Sequence, residues 1–242
     1  MIPRGTKDLS ERLAVILVRP ESLENIGLVA RAMKNTGFRN LRVVGRRKLE
    51  IACPRTAVHA ADIIKGAVFF ADLASATEDL HVVFASTAKR RKNFSVLPFD
   101  DAVAKIFSFP KEAKVGLLFG NERTGLTSAE LAASNFRWSI PQAGRQPSYN
   151  LAAAVLLTLF ALFRRQEMGA VLFLEREMPL ARKDQEGCIR LILNKLEKRM
   201  FIHSTNKRHT TQMVRDLLGR LAMTDRDRSL LLAMFSHAGR DE

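Results

Sequence analysis

Cysteine is scarce in this chain. Its 242 residues include two cysteines, Cys53 and Cys188, which are too far apart for the CxxC-type spacing of a zinc site. The five histidines show no metal-ligand spacing either. A disulfide framework and a metal-dependent mechanism therefore have no support, and reduced thiols in the cytoplasm fit the sequence better.

Long hydrophobic runs are also missing. The polar segment 1–12 has no apolar stretch of the kind that a signal peptide needs. The longest apolar run, residues 151–163, is short for a membrane span and is followed at once by Arg164 and Arg165. We interpret this run as a core or interface helix, and we expect a cytoplasmic protein.

Several well-known catalytic and nucleotide-binding motifs are absent as well. No GxGxxG follows the first predicted strand, so the usual dinucleotide fingerprint is missing. The chain also lacks a Walker A motif, an HExxH motif and a GxSxG motif. A function in one of those large enzyme classes is therefore not indicated.

Basic residues, in contrast, are abundant. The chain has 39 Lys and Arg against 25 Asp and Glu, a net charge of +14. Such an excess favours a polyanionic partner, nucleic acid first and an anionic membrane second. A membrane-surface protein is the weaker hypothesis, because no basic amphipathic helix has a strong apolar face.

The apolar residues predict an α/β domain. Continuous apolar runs, typical of strands covered on both faces, predict strands at 13–18, 41–45, 80–85, 115–119 and 136–140, with a less certain one at 67–70. Helical patterns lie between them, at 25–36, 56–65, 72–79, 99–107, 128–134 and 150–166. Strands that alternate with helices indicate a mostly parallel sheet.

The pattern changes after about residue 166. No strand follows, and three helical patterns are predicted at 186–201, 209–222 and 226–237. We therefore divide the chain into a polar N-terminal extension (1–12), an α/β domain (13–166), a linker (167–185) and a small helical C-terminal extension (186–242).

Polar and basic segments follow the predicted strands. Ligands bind outside the carboxyl ends of the strands in an open parallel sheet, so these segments are expected to converge on one site. Two of them are strongly basic and are predicted to contact the phosphates of a nucleic acid, with a solvated charge run as the alternative for any one residue. Their residues are Arg46, Arg47, Lys48, Lys89, Arg90, Arg91 and Lys92.

Three stretches in this region resemble a known family. "ENIGLVARAMKNTGF", "LLFGNERTGLT" and "IPQAGRQPSYNLAAAV" look like the three motifs of the SpoU (TrmH) branch of the SPOUT RNA 2′-O-methyltransferases, in matching order across residues 13–166. The TrmJ-like group, which methylates a ribose 2′-OH in the tRNA anticodon loop, is the best match. The C-terminal extension resembles that group's own extension more loosely.

The resemblance implies a trefoil knot at the carboxyl edge of the sheet, S-adenosylmethionine in the knotted loops, and a homodimer whose active site combines both subunits. By motif position it implies three catalytic residues, Asn25, Arg31 and Glu122. The implied cofactor contacts are Ser86, Thr87, Ala88, Gly120, Ile140, Ser148, Tyr149 and Asn150.

Each of these roles has a structural alternative. Asn25 could cap its helix, Glu122 could brace a loop through Arg123 or a backbone N–H, and Asn150 could cap the helix that follows it. Arg31 could be an ordinary surface arginine. If it is catalytic, we favour stabilisation of the developing alkoxide, because a guanidinium keeps its proton under ordinary conditions.

One residue departs from the family pattern. The third motif usually reads Ser-Leu-Asn, whereas this chain has Ser-Tyr-Asn, and Tyr149 is its only tyrosine. The larger ring with a polar tip puts the packing at this position in doubt, and it could instead face a partner subunit or the RNA.

The sequence favours a tRNA ribose 2′-O-methyltransferase and leaves two alternatives open. The first is the same chemistry on ribosomal RNA, because substrate choice lies in the basic loops and the extension. The second is a noncatalytic RNA-binding module that keeps the fold and the basic surface. The presence of Asn25, Arg31, Glu122 and Asn150 argues against this second alternative.

Overall fold

The computed structural model describes residues 9–45, 59–88, 95–143, 148–167 and 177–237. A seven-stranded sheet lies at its centre, in the order β3-β2-β1-β6-β4-β7-β5, and every pairing is parallel. The strands are β1 (Leu13–Val18), β2 (Asn40–Val44), β3 (Val68–Phe70), β4 (Val82–Ser86), β5 (Leu97–Pro98), β6 (Val115–Phe119) and β7 (Phe136–Ser139). The predicted α/β class with a mostly parallel sheet is confirmed.

Helices connect the strands and form the C-terminal extension. In chain order they are α1 (Leu9–Arg12), α2 (Leu23–Thr36), α3 (Ala61–Lys65), α4 (Leu73–Thr77), α5 (Phe99–Phe107), α6 (Ser128–Ala132), α7 (Leu151–Glu167), α8 (Arg182–Lys198), α9 (Lys207–Gly219) and α10 (Asp225–His237). Gly37 ends α2 with a φ of 84°, and Thr127 and Glu130 form the capping box of α6.

Both faces of the sheet are covered, which explains the continuous apolar runs. On one face, α2, α5 and α7 pack over alternate residues of the strands, with Phe84, Phe119 and Trp138 at the centre. On the other face, Ala76 of α4 and Leu131 of α6 pack over the remaining strand residues. All six residues of β1 are buried, so no polar–apolar alternation is possible in that strand.

The observed elements differ from the predicted ones in a few places. The predicted strand at 80–85 begins at Val82, because the Leu80 amide closes a turn onto the Thr77 carbonyl. The apolar pattern does not predict α1 or the two-residue β5, which are too short to show a period. Residues 56–58 of the helix predicted at 56–65 lie outside the described residues.

Helix α8 begins at Arg182, four residues earlier than the sequence pattern predicts. The extra turn is held by the sheet: the Arg182 amide donates to the Leu80 carbonyl at 2.7 Å. Fully buried Gln185 donates to the carbonyls of His81 (3.1 Å) and Leu180 (2.7 Å) and accepts from Asn135. The extension is thus fixed to the amino ends of β4 and β7, while its helices share a small core of their own.

We expect Gln185→Ala to lower the free energy of unfolding by about 1–3 kcal/mol, because two backbone carbonyls and the Asn135 amide lose a buried partner. Urea denaturation followed by circular dichroism measures this. Gln212→Ala is the matched control, since Gln212 is exposed and bonds only to Asp216 within the described residues. Equal stability of the two variants would contradict the anchoring role.

Candidate functional site

The strand order brings two loops together at the carboxyl edge of the sheet. Strand β1 pairs with β6 in parallel register, Leu17 opposite Phe119, so the segments that leave the two strands run side by side. The first is the 19–22 turn, which leads into α2. The second is the 120–126 loop, which leads towards α6. Strands β4 and β7 are the next in the sheet, and their exits complete the edge.

A cavity of about 250 Å³ opens among these exits. Its walls combine hydroxyl and backbone groups with apolar side chains. The lining residues are Ser86, Thr87, Ala88, Phe119, Gly120, Asn121, Glu122, Arg123, Thr124, Gly125, Leu126, Ile140, Gln142, Ser148, Tyr149, Leu151 and Ala154. This mixture suits a ligand with a flat apolar part and a polar, hydroxyl-bearing part.

The Glu122 carboxylate joins the two adjacent loops. It accepts hydrogen bonds from the amides of Glu21 (2.8 Å) and Ser22 (3.1 Å) and from Asn25 Nδ2 (3.0 Å). Burial alone would raise the pKa of Glu122, but these hydrogen bonds together outweigh it and hold the pKa below its ordinary value. The side chain is therefore an ionised acceptor at neutral pH.

Asn25 extends this network to the third motif. Its Nδ2 donates to Glu122, and its Oδ1 accepts from Asn150 Nδ2 at 3.0 Å. The Asn150 Oδ1 in turn accepts from the amide of Ala152 at 2.8 Å, which caps α7. One chain of hydrogen bonds thus links the loop after β6, the start of α2 and the start of α7.

Asn121 fixes the shape of the 120–126 loop. Its Oδ1 accepts from the amides of Arg123 (2.9 Å) and Thr124 (3.0 Å), and its Nδ2 donates to the Arg19 carbonyl at 3.0 Å. Gly120 lies where this loop closes on itself: a Cβ there would lie 2.3 Å from the Leu126 amide nitrogen. Only glycine fits at that point.

The family is decided by the extent of the sequence match. The sequence model of the SpoU rRNA methylase family matches residues 12–160, which carry the sheet and the cavity. The chain belongs to the SpoU rRNA methylase family. It is therefore an RNA methyltransferase by family. The second and third of its three motifs line the cavity, and the first is joined to them through Asn25.

Individual SpoU relatives agree with this membership. The chain is 28% identical to the tRNA (cytidine-2′-O-)-methyltransferase TrmJ of Methanocaldococcus jannaschii, over 92% of this chain and 98% of the relative. It is 34% identical to the uncharacterised tRNA/rRNA methyltransferase LasT of Escherichia coli, over 62% and 68% of the two chains. The crystal structure of TrmJ from Z. mobilis ZM4 superposes with a TM-score of 0.78 at 29% identity, covering 92% and 97%.

Most of the cofactor contacts that the family resemblance implies line the 250 Å³ cavity. Asn150 is the exception: it is not among the described lining residues, and it bonds Asn25 and caps α7, as its structural alternative supposed. The capping alternative for Asn25 is wrong. Helix α2 begins two residues earlier than predicted, and Ser22 is its N-cap.

Arg31 lies on the exposed side of α2, and among the described residues none accepts a hydrogen bond from it. The predicted phosphate contacts Arg46, Arg47, Lys48, Lys89, Arg90, Arg91 and Lys92 lie outside the described residues. Sequence reasoning missed Asn121, although its position next to Glu122 in "GNERTG" marks a turn residue.

The tyrosine that departs from the family pattern has a defined contact. The Tyr149 hydroxyl donates to the Pro141 carbonyl at 3.0 Å, and the side chain is 42% exposed. This bond joins the two ends of segment 141–149 beside the cavity.

No cluster of three or more potential metal ligands occurs in the described ranges, nor does any helix there have the length and apolarity to span a bilayer.

A larger cleft, of about 500 Å³, lies between α9 and Arg137 of β7. None of the residues predicted from the SpoU motifs lines this cleft, so its greater size does not make it the functional site.

Replacement of the two glycines of the 120–126 loop by alanine should have different effects. Gly120→Ala should lower the free energy of unfolding by about 2 kcal/mol or more and abolish ligand binding in the cavity, because the new Cβ meets backbone atoms. Gly125→Ala meets no atom within 4 Å but keeps a left-handed φ of 67°, which costs about 1 kcal/mol.

Gly187→Ala, inside α8 with open space around it, is the control and should be neutral or stabilising. Thermal unfolding and calorimetric titration with S-adenosylmethionine measure both effects. If Gly120→Ala bound the cofactor as wild type does, the loop closure would be unnecessary.

Proposed function

We propose that this protein is an S-adenosylmethionine-dependent tRNA ribose 2′-O-methyltransferase that acts on the anticodon loop. The observation that carries the proposal is the Glu122–Asn25–Asn150 network at the edge of a cavity lined by residues of the second and third SpoU motifs. The similarity to a tRNA 2′-O-methyltransferase over nearly the whole of both chains supports tRNA as the substrate.

The lining of the cavity fits the proposed cofactor. Ser86, Thr87 and Ser148 offer hydroxyl groups, while Phe119, Leu126, Ile140 and Leu151 offer apolar walls for an adenine ring. When bound there, the cofactor supplies an activated methyl group. The residues of the chain position it and exclude water, and positioning provides much of the rate of such a transfer.

Glu122 acts in this proposal as a positioning residue. Its carboxylate accepts from three donors of the 19–22 turn and the start of α2, so its hydrogen bonds hold those segments in place beside the cavity. Its ionised state fixes which way the Asn25 amide points, since only Nδ2 can donate to it. Asn25 Oδ1 then holds Asn150, and through it the start of α7.

Arg31 is the proposed catalytic residue. Its exposed position on α2, two turns after the network, leaves the guanidinium available to an incoming RNA. We assign it the electrostatic role of stabilising the alkoxide that develops on the ribose and gripping the adjacent phosphate. Asn25 and Glu122 shape the first turn of the helix that carries it.

A homodimer completes the proposed site. Leu156, Leu157 and Phe160 of α7 are 39–49% exposed, and α7 packs against α2 more extensively than any other two described helices pack. Leu28, also exposed, lies one turn before Arg31 on α2. A partner on this apolar face would bury it and would bring Arg31 to the boundary between the subunits.

We propose two further properties on the family resemblance. The first is the trefoil knot formed by the exits of β4, β6 and β7, parts of which, 89–94 and 144–147, lie outside the described residues. The second is a cytoplasmic location, where tRNA substrates are present.

Arg31→Ala tests both the reaction and the role of the arginine. We expect it to keep the fold and to bind S-adenosylmethionine within about twofold of wild type, while methyl transfer falls by about 100-fold or more. A deletion strain is complemented with wild type, Arg31→Ala or the control Arg39→Ala, which changes an exposed arginine before β2.

Mass spectrometry of total tRNA and rRNA then maps the 2′-O-methyl sites. Wild type and Arg39→Ala should restore an anticodon-loop mark that Arg31→Ala does not. A restored mark on rRNA alone would overturn the tRNA assignment, and absence of cofactor binding by wild type would favour the noncatalytic RNA-binding module. Full activity of Arg31→Ala would refute the role of the arginine.

Phe160→Glu tests the homodimer. A charge at the centre of the apolar face of α7 should convert a dimer into monomers, because the carboxylate would lose water on association. Leu230→Glu, at a 61% exposed position of α10, should remain dimeric. Light scattering after size exclusion gives the masses, and a monomeric wild type would contradict the proposal.

A further inference from the structure

Arg19, the first residue after β1, has a backbone conformation that is unusual for arginine. Its φ is 49°, in the left-handed region that residues with a Cβ rarely adopt. Such a conformation persists only where the surroundings fix it. Here the Arg19 amide donates to the Val44 carbonyl at 2.9 Å, and its own carbonyl accepts from Asn121 Nδ2.

The side chain of Arg19 makes the second set of fixing contacts. Its guanidinium binds both carboxylate oxygens of Glu130, with Nη2 3.0 Å from Oε2. This hydrogen bond raises the pKa of Arg19. Burial alone would raise the pKa of Glu130, but its hydrogen bonds with Arg19 and Thr127 outweigh burial and hold that pKa below its ordinary value. The Glu130 side chain is 12% exposed and that of Arg19 is 43% exposed, so the carboxylate is shielded from solvent and the guanidinium is half-exposed.

Glu130 is at the same time part of the frame of the 120–126 loop. Its carboxylate accepts from the Thr127 amide at 2.8 Å in the capping box of α6, directly after the loop. The ion pair therefore ties the far end of the loop to the 19–22 turn. Glu122 ties the near end to the same turn through the amides of Glu21 and Ser22.

The exit of β2 is also shaped around Arg19. Gly45 has a φ of 81°, and a Cβ at this position would lie 2.9 Å from Arg19 Cγ. The Gly45 amide is held by the Phe70 carbonyl at 3.0 Å, so this backbone is fixed in place beside the arginine. The segments that follow β1, β2 and β6 thus meet at one residue, Arg19.

We propose that Arg19 and Glu130 form a positioning latch that keeps the 120–126 loop in register with the 19–22 turn. The latch holds Glu122 against Asn25, and through Asn25 it holds Asn150, so the cavity has its working shape before the cofactor enters. Neither Arg19 nor Glu130 is among the described lining residues. The inference rests on the proposed function, for which it supplies two positioning residues.

The ion pair can be removed without removing the helix cap. In Glu130→Gln the new side chain can still accept from the Thr127 amide, because glutamine serves in a capping box as glutamate does. Arg19→Gln removes the same ion pair from the other side. A matched control lies at the opposite edge of the sheet, where Arg42 binds both oxygens of Asp79 (2.6 and 3.0 Å). Its variants are Arg42→Gln and Asp79→Asn.

Two measurements test the latch. Calorimetry and steady-state kinetics should show that Arg19→Gln and Glu130→Gln each weaken cofactor binding and lower kcat by about tenfold, with the double variant no worse than either. Hydrogen exchange should accelerate at the amides of Glu21 and Ser22, which donate to Glu122. The Arg42 and Asp79 variants should lower Tm but leave Kd, kcat and those two amides within about twofold of wild type.

Unchanged exchange at Glu21 and Ser22 in both latch variants would overturn the proposal. The proposal would also fail if the Arg42 and Asp79 variants lost cofactor binding in the same proportion to their loss in Tm as the Arg19 and Glu130 variants do. The exchange measurement needs neither cofactor nor RNA. A wild-type protein that fails to methylate tRNA would therefore refute the proposed function while the latch is still decided by exchange alone.

Discussion

The parallel pairing of β1 with β6 is the constraint on which the site depends. Residues far apart in the chain become neighbours only because these two strands lie side by side and end at the same level. The 19–22 turn then lies against the first half of the 120–126 loop. Asn121 donates to the Arg19 carbonyl, Glu122 accepts from the amides of Glu21 and Ser22, and Glu130, in the helix after the loop, pairs with the Arg19 side chain. Polar groups that would be costly to bury alone are thereby satisfied, and the site has a fixed shape.

The amino-terminal edge of the sheet binds the C-terminal extension. There the amino ends of β4 and β7 hold the C-terminal extension through Arg182, Gln185 and Asn135. Because both edges share the same strands, β4 connects the anchor of the extension directly to the Ser86–Thr87–Ala88 wall of the cavity. The extension is therefore attached to the same strand whose other end lines the cavity, and these contacts add to a small core that is marginal by itself.

The sequence predicts the parts of this molecule that depend on local pattern. Strands β1 and β6 and helix α5 have the predicted bounds, because burial on both faces and a clear helical period leave strong signals. The motif resemblance named eight cofactor contacts, and all of them except Asn150 are among the described lining residues of the cavity. It could not name the partners that hold the site. The capping alternative for Asn25 fails because α2 begins earlier, with Ser22 as its N-cap, and Arg19 and Glu130 are 111 residues apart. The start of α8 was missed for the same reason, since its first turn is held by β4 and not by its own periodicity.

The hydrogen bond between Tyr149 and Pro141 has an entropic consequence. It joins the two ends of segment 141–149, so it favours their closeness also when the cavity is empty. The leucine that the family usually has at this position offers no such closure. The tyrosine thus orders the ends of the segment already in the free protein. Because less conformational freedom remains to be lost, the entropy loss on ligand binding is smaller.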